Sequence, residues 1–293
     1  MEKKGRKLKM SFLKNTKIFS IYLSQIFFFI FFIFPIIWIL IMSFKEFRDI
    51  IAYPPRFIFK PTLDNYSEIL FGPGGIANFH RLPDYVKYLF NSAIISGGAV
   101  LLATVLGVPA AYALARGNIR GRMHIAFTFL SFRFAPELMV ILPMFLIYTQ
   151  VGLYDTYIGL ILAHQLICLP LIIWIMLSFF QDIPSAIEEA ARVDGASVFL
   201  TLRAVILPIA GPGIASATII AFIFSWNNLI FGLVLAGSGT RPVTMGILQT
   251  MTFDQIKWGL MASAAMISAV PGMFIAIYLQ KYITRGLTMG AVK

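Results

Sequence analysis

The sequence predicts an all-α integral membrane protein with six transmembrane helices. Of its 293 residues, 59% are hydrophobic and only 13% are charged, whereas a soluble domain carries about a quarter charged residues. Six apolar runs are each long enough for a span, which needs about 20 residues. The basic residues behind the net charge of +11 stand at the ends of these runs, as the positive-inside rule requires. This placement argues against nucleic-acid binding, which a basic soluble domain would have suggested.

A basic tail, residues 1–17, precedes the first apolar run. It holds seven Lys or Arg residues against one acid, Glu2. The run that follows, 18–43, is too long for the apolar core of a signal peptide and has no small-residue cleavage site. It is therefore predicted to stay in the protein as the first transmembrane helix, with the tail in the cytoplasm.

An extracytoplasmic loop is predicted over residues 44–87, where charges of both signs mix with turn signals such as Pro54-Pro55. The remainder, 88–293, is predicted to form the transmembrane core of the protein. Its spans are placed near 88–114, 124–148, 158–180, 213–235 and 260–282. The basic loop at 116–122, the charged segment 181–208 and the tail 283–293 then share the cytoplasmic side, so both termini are cytoplasmic, while 236–258 lies outside.

The charged segment 181–208 interrupts two apolar runs and must face water. Ser185, followed three residues later by Glu188, matches a capping box and predicts a helix start. Ala190 and Ala191 give this helix a surface that a partner can approach closely. Gly195 suits a left-handed helix end.

A second short helix is predicted after Ser197, ending at Pro208, so that the segment forms a helix-turn-helix. Its charged residues are expected to be available to water or to a partner: Glu188, Glu189, Arg192 and Asp194. An amphipathic helix lying on the membrane surface is the alternative, but such helices are usually rich in Lys and Arg. The segment from Gln181 to Asp194 is net acidic, which favours a protein partner.

The same segment resembles the EAA loop of ABC importer permeases. The pattern consists of Glu189-Ala190-Ala191, Gly195, Val205 and Leu207-Pro208, with Val205 standing where the family has Ile. Further stretches, in the same order and at similar spacing, resemble the carbohydrate-uptake branch of that family: 35–45, Asn91-Ser92, 109–116, 152–156, 225–227, 242–246 and 280–293. The resemblance covers nearly the whole chain and implies the MetI/MalG-like permease fold.

The resemblance implies that this loop is a coupling helix, which docks on a cytoplasmic ATPase. The residues carried over to that contact are Glu188, Glu189, Ala190, Ala191, Asp194, Gly195, Leu207 and Pro208. The partners that it implies are a second, MalF-like permease subunit, two ABC ATPase subunits, an extracytoplasmic solute-binding protein, a sugar substrate and membrane lipid. ATP and Mg²⁺ would belong to the ATPase, because this sequence has no Walker A loop. The chain itself is not expected to be an enzyme.

Polar and aromatic residues within the spans are candidates for lining a substrate path: Arg133, Glu137, Trp226, Asn227 and Asn228. Charges inside a membrane are costly and face a cavity or each other, so Arg133 and Glu137 are either an intrahelical ion pair or path residues. The amides can bridge helices instead. An aromatic ring beside paired amides is also how a sugar is held, and this favours the path.

Two other function classes fit the composition. A secondary transporter would need an ion relay and often has inverted repeats, whereas the sequence offers one clearly intramembrane acid, Glu137, and no visible repeat. An intramembrane enzyme would need a catalytic or metal-binding cluster, and the sequence predicts neither, because His80, His124 and His164 are widely spaced and Cys168 is single. The resemblance implies neutral, maltose-like oligosaccharides, while Arg133 leaves acidic oligosaccharides such as uronates open.

Overall fold

The computed structural model is nearly all helical, as predicted, and describes residues 2–73, 83–134, 137–251 and 256–289. Parts of the predicted outer loops (74–82 and 252–255) and the end of the predicted tail (290–293) lie outside the described residues. Five helices are long and apolar enough to cross a membrane: Ile18–Ser43, Asp84–Arg116, Gln165–Asp182, Val198–Trp226 and Trp258–Ile275. They correspond to five of the six predicted spans.

The first third of the chain places two short helices between two long ones: α1 (Glu2–Ser43), α2 (Phe47–Ile50), α3 (Asp64–Phe71) and α4 (Asp84–Arg116). The span within α1 is only 6% buried by the rest of the chain. Its Phe-rich surface therefore faces lipid or another subunit.

The third predicted span is not one helix. It consists of α5 (Arg122–Ser131), a 3₁₀ turn (Phe132–Phe134) and α6 (Glu137–Val151). The sequence places a proline, Pro136, between the turn and α6, and proline is unfavourable inside a helix because it lacks a backbone N–H donor. Arg133 lies in the turn and Glu137 begins α6, so the prediction that they share one continuous helix is wrong.

The fourth predicted span is also divided, into α7 (Tyr157–Ala163) and α8 (Gln165–Asp182), with His164 between them. Thr156 caps α7, because its hydroxyl accepts a hydrogen bond from Gly159 N at 3.0 Å.

The charged segment 181–208 leads into the fifth span without a break after Val198. Their elements are α9 (Ser185–Val193), α10 (Val198–Thr201), a π-helical segment (Leu202–Ile206), α11 (Leu207–Trp226) and α12 (Ile230–Leu235). Pro208 lies in the first turn of α11 instead of ending a helix, so that prediction is wrong. The π-helical hydrogen bonding just before it leaves room for a proline, which would obstruct a regular α-helix. The second predicted helix is therefore continuous with the fifth span.

The last part of the chain contains α13 (Val243–Leu248) and α14 (Trp258–Met289). The hydrophobic core lies where α4, α8 and α11 meet, and small residues such as Ala103, Ala111 and Ala217 are fully buried there. Gly213 lets α11 approach α8 closely, since a Cβ at that position would lie 2.6 Å from the ring of Phe179. These three helices form one packed unit.

Contacts between chain segments define two ends of the bundle. The α9 end is the one next to α9, and the loop end is the one next to Asp155 and the loop 237–243. At the α9 end, Arg122 Nη1 donates to Ala115 O at 3.1 Å. At the loop end, Asp155 N donates to Leu235 O at 3.0 Å. The broken segment 122–151 starts at the α9 end and finishes at the loop end. It therefore runs from one end of the bundle to the other, although its helices are too short to count as spans by length.

Candidate functional site

Helix α9 has one face turned to solvent and one turned to the bundle. Glu189 and Ala190 are exposed, whereas Glu188 is 3% exposed. Gly195 ends the helix in the left-handed conformation, at φ +86°, and Ala196 N donates to Ala191 O at 3.0 Å. The predicted helix end at Gly195 is confirmed.

Glu188 is held inside the protein by two side chains of α4. Arg116 Nε donates to Glu188 Oε1 at 2.6 Å, and Tyr112 Oη donates to Glu188 Oε2 at 2.9 Å. Arg116 Nη2 also donates to Ile183 O, just before α9. We call Tyr112, Arg116 and Glu188 the α9 clamp. The prediction that Glu188 is available to water or a partner is wrong, because its carboxylate is already used by the clamp.

The predicted capping box is not formed either. Pro184 occupies the cap position, Ser185 is already the first residue of α9, and no side-chain cap is present. Glu188 points toward α4, where a charged partner offers a stronger hydrogen bond than a backbone amide at an exposed helix end. The second predicted cap is confirmed, since Leu200 N donates to Ser197 Oγ at 3.3 Å.

The predicted coupling residues differ in their accessibility. Those that are exposed are Glu189, Ala190, Asp194, Gly195 and Pro208, while Ala191 and Leu207 are half-buried and Glu188 is buried. Sequence reasoning missed two apolar side chains beside them, Val193 and Phe199, which are 87% and 70% exposed. An exposed Phe next to a charged helix is a recognisable sign of a contact surface for another protein.

Four of the five predicted path residues line one cavity of about 630 Å³: Arg133, Glu137, Asn227 and Asn228. Of the two alternatives for Arg133 and Glu137, the intrahelical ion pair is not formed, and each side chain makes another contact. The guanidinium carbon of Arg133 lies 3.9 Å from the ring centroid of Phe224, and Asn228 Nδ2 donates to Glu137 Oε2 at 3.1 Å. The cavity thus combines a cation, an acid, amides and an aromatic ring. That these residues line a substrate path stays a prediction.

Trp226 has a different place. It is 5% exposed, stacks against Phe222 and donates from Nε1 to Ser268 O on α14 at 3.0 Å. The α11 helix ends at Trp226, so Trp226, Asn227 and Asn228 do not lie midway along a continuous span as predicted. The contacts of Trp226 favour a role as a bridge between helices. Its ring packs against Phe222, and its only hydrogen-bond donor, Nε1, is already bound to Ser268 O.

At the loop end, Asp155 holds the loop 237–240. Its Oδ1 accepts from Gly237 N at 2.9 Å and from the amide and hydroxyl of Thr240 at 3.0 and 2.7 Å. Its Oδ2 accepts from Gly239 N at 3.1 Å. Burial by itself raises the pKa of Asp155, but the hydrogen bonds from Thr240, Gly239 and Gly237 outweigh it and lower the pKa below the ordinary value.

Two residues of α4 extend this network. Asn91 Nδ2 donates to Arg241 O at 2.9 Å and to Gly239 O at 3.2 Å, and Ser92 Oγ accepts from Val243 N at 2.8 Å. The same helix therefore anchors α9 at one end of the bundle and the loop 237–243 at the other.

Comparison with known proteins gives a family match over residues 17–289, to the model described as "Binding-protein-dependent transport system inner membrane component". The chain is 33% identical to the trehalose/maltose transport system permease protein MalG of Thermococcus litoralis, over 89% of this chain and 91% of that protein. It is 33% identical to the trehalose transport system permease protein SugB of Mycobacterium tuberculosis, over 88% and 92%. It is 31% identical to the diacetylchitobiose uptake system permease protein DasC of Streptomyces coelicolor, over 89% and 92%.

Among solved structures, the fold is similar to a chain of a bacterial ABC transporter involved in the import of the acidic polysaccharide alginate. The TM-score is 0.73 at 23% identity, over 91% of this chain and 96% of that chain. At this identity the likeness establishes the fold alone.

Proposed function

This chain belongs to the family of binding-protein-dependent transport system inner membrane components, and we propose that it is one of two permease subunits of an ATP-driven importer for sugars. Three relatives over nearly its full length are named for the transport of trehalose, maltose or diacetylchitobiose. The observation that carries the proposal is α9: a helix fixed to the membrane core that presents an exposed carboxylate, Glu189, beside the small side chain of Ala190, with no ion-pair partner among the residues that the structure describes.

In this proposal α9 is the coupling helix. Glu189 pairs with a basic residue of a cytoplasmic ATPase, Ala190 allows close approach, and the exposed Val193 and Phe199 add an apolar contact. ATP and Mg²⁺ are bound by the two ATPase subunits, which supply the energy. When the ATPases close, α9 moves with them, and a rigid connection carries that movement into the membrane.

The cavity around Arg133 is the proposed part of the sugar path. Its volume of about 630 Å³ falls in the range of small-molecule sites. Its amides and charged groups can hydrogen-bond to sugar hydroxyls, and a ring such as Phe224 can stack on a sugar face. A second, MalF-like permease subunit is proposed to complete the path.

The orientation follows from the same proposal. The α9 end faces the cytoplasm, together with the basic N-terminal tail, and both termini are cytoplasmic. The loop end, with its anchored loop 237–243, faces outward, where an extracytoplasmic solute-binding protein delivers the sugar.

Co-purification and uptake test this proposal together. The chain is expressed together with the partner permease and ATPase subunits encoded in the same genome, purified through a tag on this chain, and reconstituted with the solute-binding protein. We expect the ATPases to remain bound to the parental chain and to be lost from Glu189→Lys, because the reversed charge repels its partner. Asp64→Lys is the matched control, since Asp64 is an exposed acid away from α9.

Uptake is measured with radiolabelled trehalose, maltose and diacetylchitobiose. We expect at least one of them to enter vesicles only when ATP is present. Uptake by this chain alone, driven by an ion gradient and indifferent to ATP, would instead identify a secondary transporter and overturn the proposal.

A further inference from the structure

The two neighbouring glutamates of α9 point in different directions, about 100° apart around the helix, and this separates two tasks. Glu189 is exposed, whereas the side chain of Glu188 is 4% exposed and paired with Arg116. We infer that Glu188 is a positioning residue that fastens α9 to α4, so that movement of α9 is passed to the membrane core. The inference rests on the proposed function, because it assigns a path for the movement that the ATPases produce.

The covalent connections of α9 do not reach α4. Along the chain, α9 is joined to α8 through Ile183-Pro184 and to α10 through the turn at Gly195. Arg116 and Glu188 are 72 residues apart in sequence. The α9 clamp therefore supplies a connection between α9 and α4 that the backbone lacks.

The geometry of the clamp limits rotation as well as separation. Tyr112 and Arg116 are four residues apart, so they lie on one face of α4, and each binds a different oxygen of the same carboxylate. Arg116 also holds the carbonyl of Ile183, at the base of α9. Three hydrogen bonds that converge from one helix end fix the direction of α9, where a single bond would let it swing.

The clamp is seated on the packed core. The ring of Tyr112 meets the ring of Phe180 edge to face, with centroids 5.5 Å apart, and Phe180 is fully buried. Arg116 is 20% exposed, so the ion pair is shielded from most of the surrounding water. A charged pair in such a place is directional and strong, because little solvent screens it. The clamp joins α9 to the unit formed by α4, α8 and α11.

The test compares the two glutamates in the reconstituted importer with its ATPases and solute-binding protein. Glu188→Gln keeps the shape of the side chain and removes its charge. We expect the ATPases to stay bound and ATP hydrolysis to continue, while the number of sugars imported per ATP falls about tenfold or more. The ratio does not depend on how much complex survives purification, so a purely structural role would leave it unchanged. Glu189→Lys, in contrast, should lose the ATPases altogether.

A milder variant covers the case in which Glu188→Gln does not assemble. Tyr112→Phe removes one hydrogen bond and leaves the ion pair, so we expect normal assembly and a two- to threefold lower ratio of sugar imported to ATP hydrolysed. An unchanged ratio in an assembled Glu188→Gln complex, or in Tyr112→Phe if Glu188→Gln does not assemble, would overturn the inference. If Glu188→Gln still folds and pairs with the second permease but loses only the ATPases, the inference would also be overturned, since Glu188 would then act in docking.

A measurement without sugar separates this inference from the proposed function. Nitroxide labels at Ala113→Cys on α4 and Ala186→Cys on α9 report the distance between the two helices in the purified complex. We expect one narrow distance distribution, the same without nucleotide and with ATP and vanadate, and a broad one after Glu188→Gln. A narrow distribution in Glu188→Gln would show that the clamp does not position α9, whatever the complex transports. Failure of the parental complex to import any of the three sugars would count against the proposed function alone.

Discussion

Two carboxylates at opposite ends of the bundle are each held by several donors, but the donors differ in kind. Glu188 is bound by the side chains of Tyr112 and Arg116, which belong to a helix. Asp155 is bound mainly by backbone amides of the loop 237–240. Side-chain donors on a helix join two rigid elements as bodies. Backbone donors instead fix the conformation of the segment that supplies them. Asp155 therefore fixes the shape of a loop, whereas Glu188 connects two helices.

The two arrangements also differ in what is left behind when the carboxylate is removed. Without Glu188, the guanidinium of Arg116, whose side chain is 20% exposed in the intact protein, loses its counter-charge. Without the Asp155 carboxylate, the amides lose an acceptor, but Gly239 is exposed and can bond to water. An unpaired charge is the more costly of the two.

The largest effect is therefore expected from Glu188→Ala. Removing one partner of a buried ion pair should lower the free energy of unfolding by about 3 kcal/mol. The midpoint of unfolding in detergent, followed by circular dichroism during titration with sodium dodecyl sulfate, measures this loss. Glu189→Ala is the control one residue away and should change stability by less than about 0.5 kcal/mol. Equal losses of unfolding free energy in the two variants would show that the buried and exposed glutamates of α9 contribute equally to stability, against this prediction.

Asp155→Asn should have a smaller and more local effect, about 2 kcal/mol, because hydrogen bonds to a charged acceptor are replaced by weaker ones. We expect hydrogen exchange of the amides of Gly237, Gly239 and Thr240 to become faster while the rest of the bundle is unaffected. Asp84→Asn removes an exposed acid near the same end and should leave these amides unchanged. Faster exchange throughout α4 or α8 would mean that Asp155 supports the bundle as well as its loop.

Acidification should imitate that variant. Because the pKa of Asp155 is lower in the folded protein than in the unfolded chain, its contribution is fully present above the unfolded value. The ordinary pKa of an aspartate is about 3.9. Protection of the same amides, corrected for intrinsic exchange, should therefore hold from pH 7 to about pH 5 and decline as the pH falls below about 4. A decline that was complete by pH 5 would contradict the lowered pKa.

The smallest effect is expected from Tyr112→Phe, about 1 kcal/mol, since one hydrogen bond is lost and the ring that packs on Phe180 remains. The same detergent unfolding assay measures it. A loss as large as that of Glu188→Ala would mean that the tyrosine hydroxyl, and not the ion pair, dominates the clamp.

Local signals in the sequence predicted local structure well. The helix end at Gly195 and the cap at Ser197 were both predicted, because each depends on the residue's own conformational preference or on a bond three residues away. The apolar runs also predicted the five long apolar helices, because hydropathy is a property of neighbouring residues in the sequence. The breaks at Phe132–Phe134 and His164 were missed, since the average hydropathy of a run does not change where its hydrogen bonding does.

The errors at the candidate site come from contacts between distant parts of the chain. Glu188 and Glu189 look alike in sequence, and only the position of Arg116, 72 residues away, decides which of them is buried. Arg116 was interpreted as one of the basic residues that orient the chain, although its spacing of four from Tyr112 hinted at a shared face. Trp226 was assigned to the path because it stands beside two amides, whereas its hydrogen-bond partner, the carbonyl of Ser268, lies on another helix and cannot be recognised from the local sequence.

The π-helical segment Leu202–Ile206 makes the length of the chain between α9 and the fifth span as important as its composition. Each residue of an α-helix turns the chain by about 100°, and a π turn accommodates one residue more than an α turn. The π turn therefore absorbs the extra residue, and the helix on either side of it keeps its direction. A regular α-helix over the same residues would be obstructed by Pro208 and would turn the segment that leads to α9 by about 100° relative to α11. The π-helical segment thus sets the direction in which Glu188 meets Arg116.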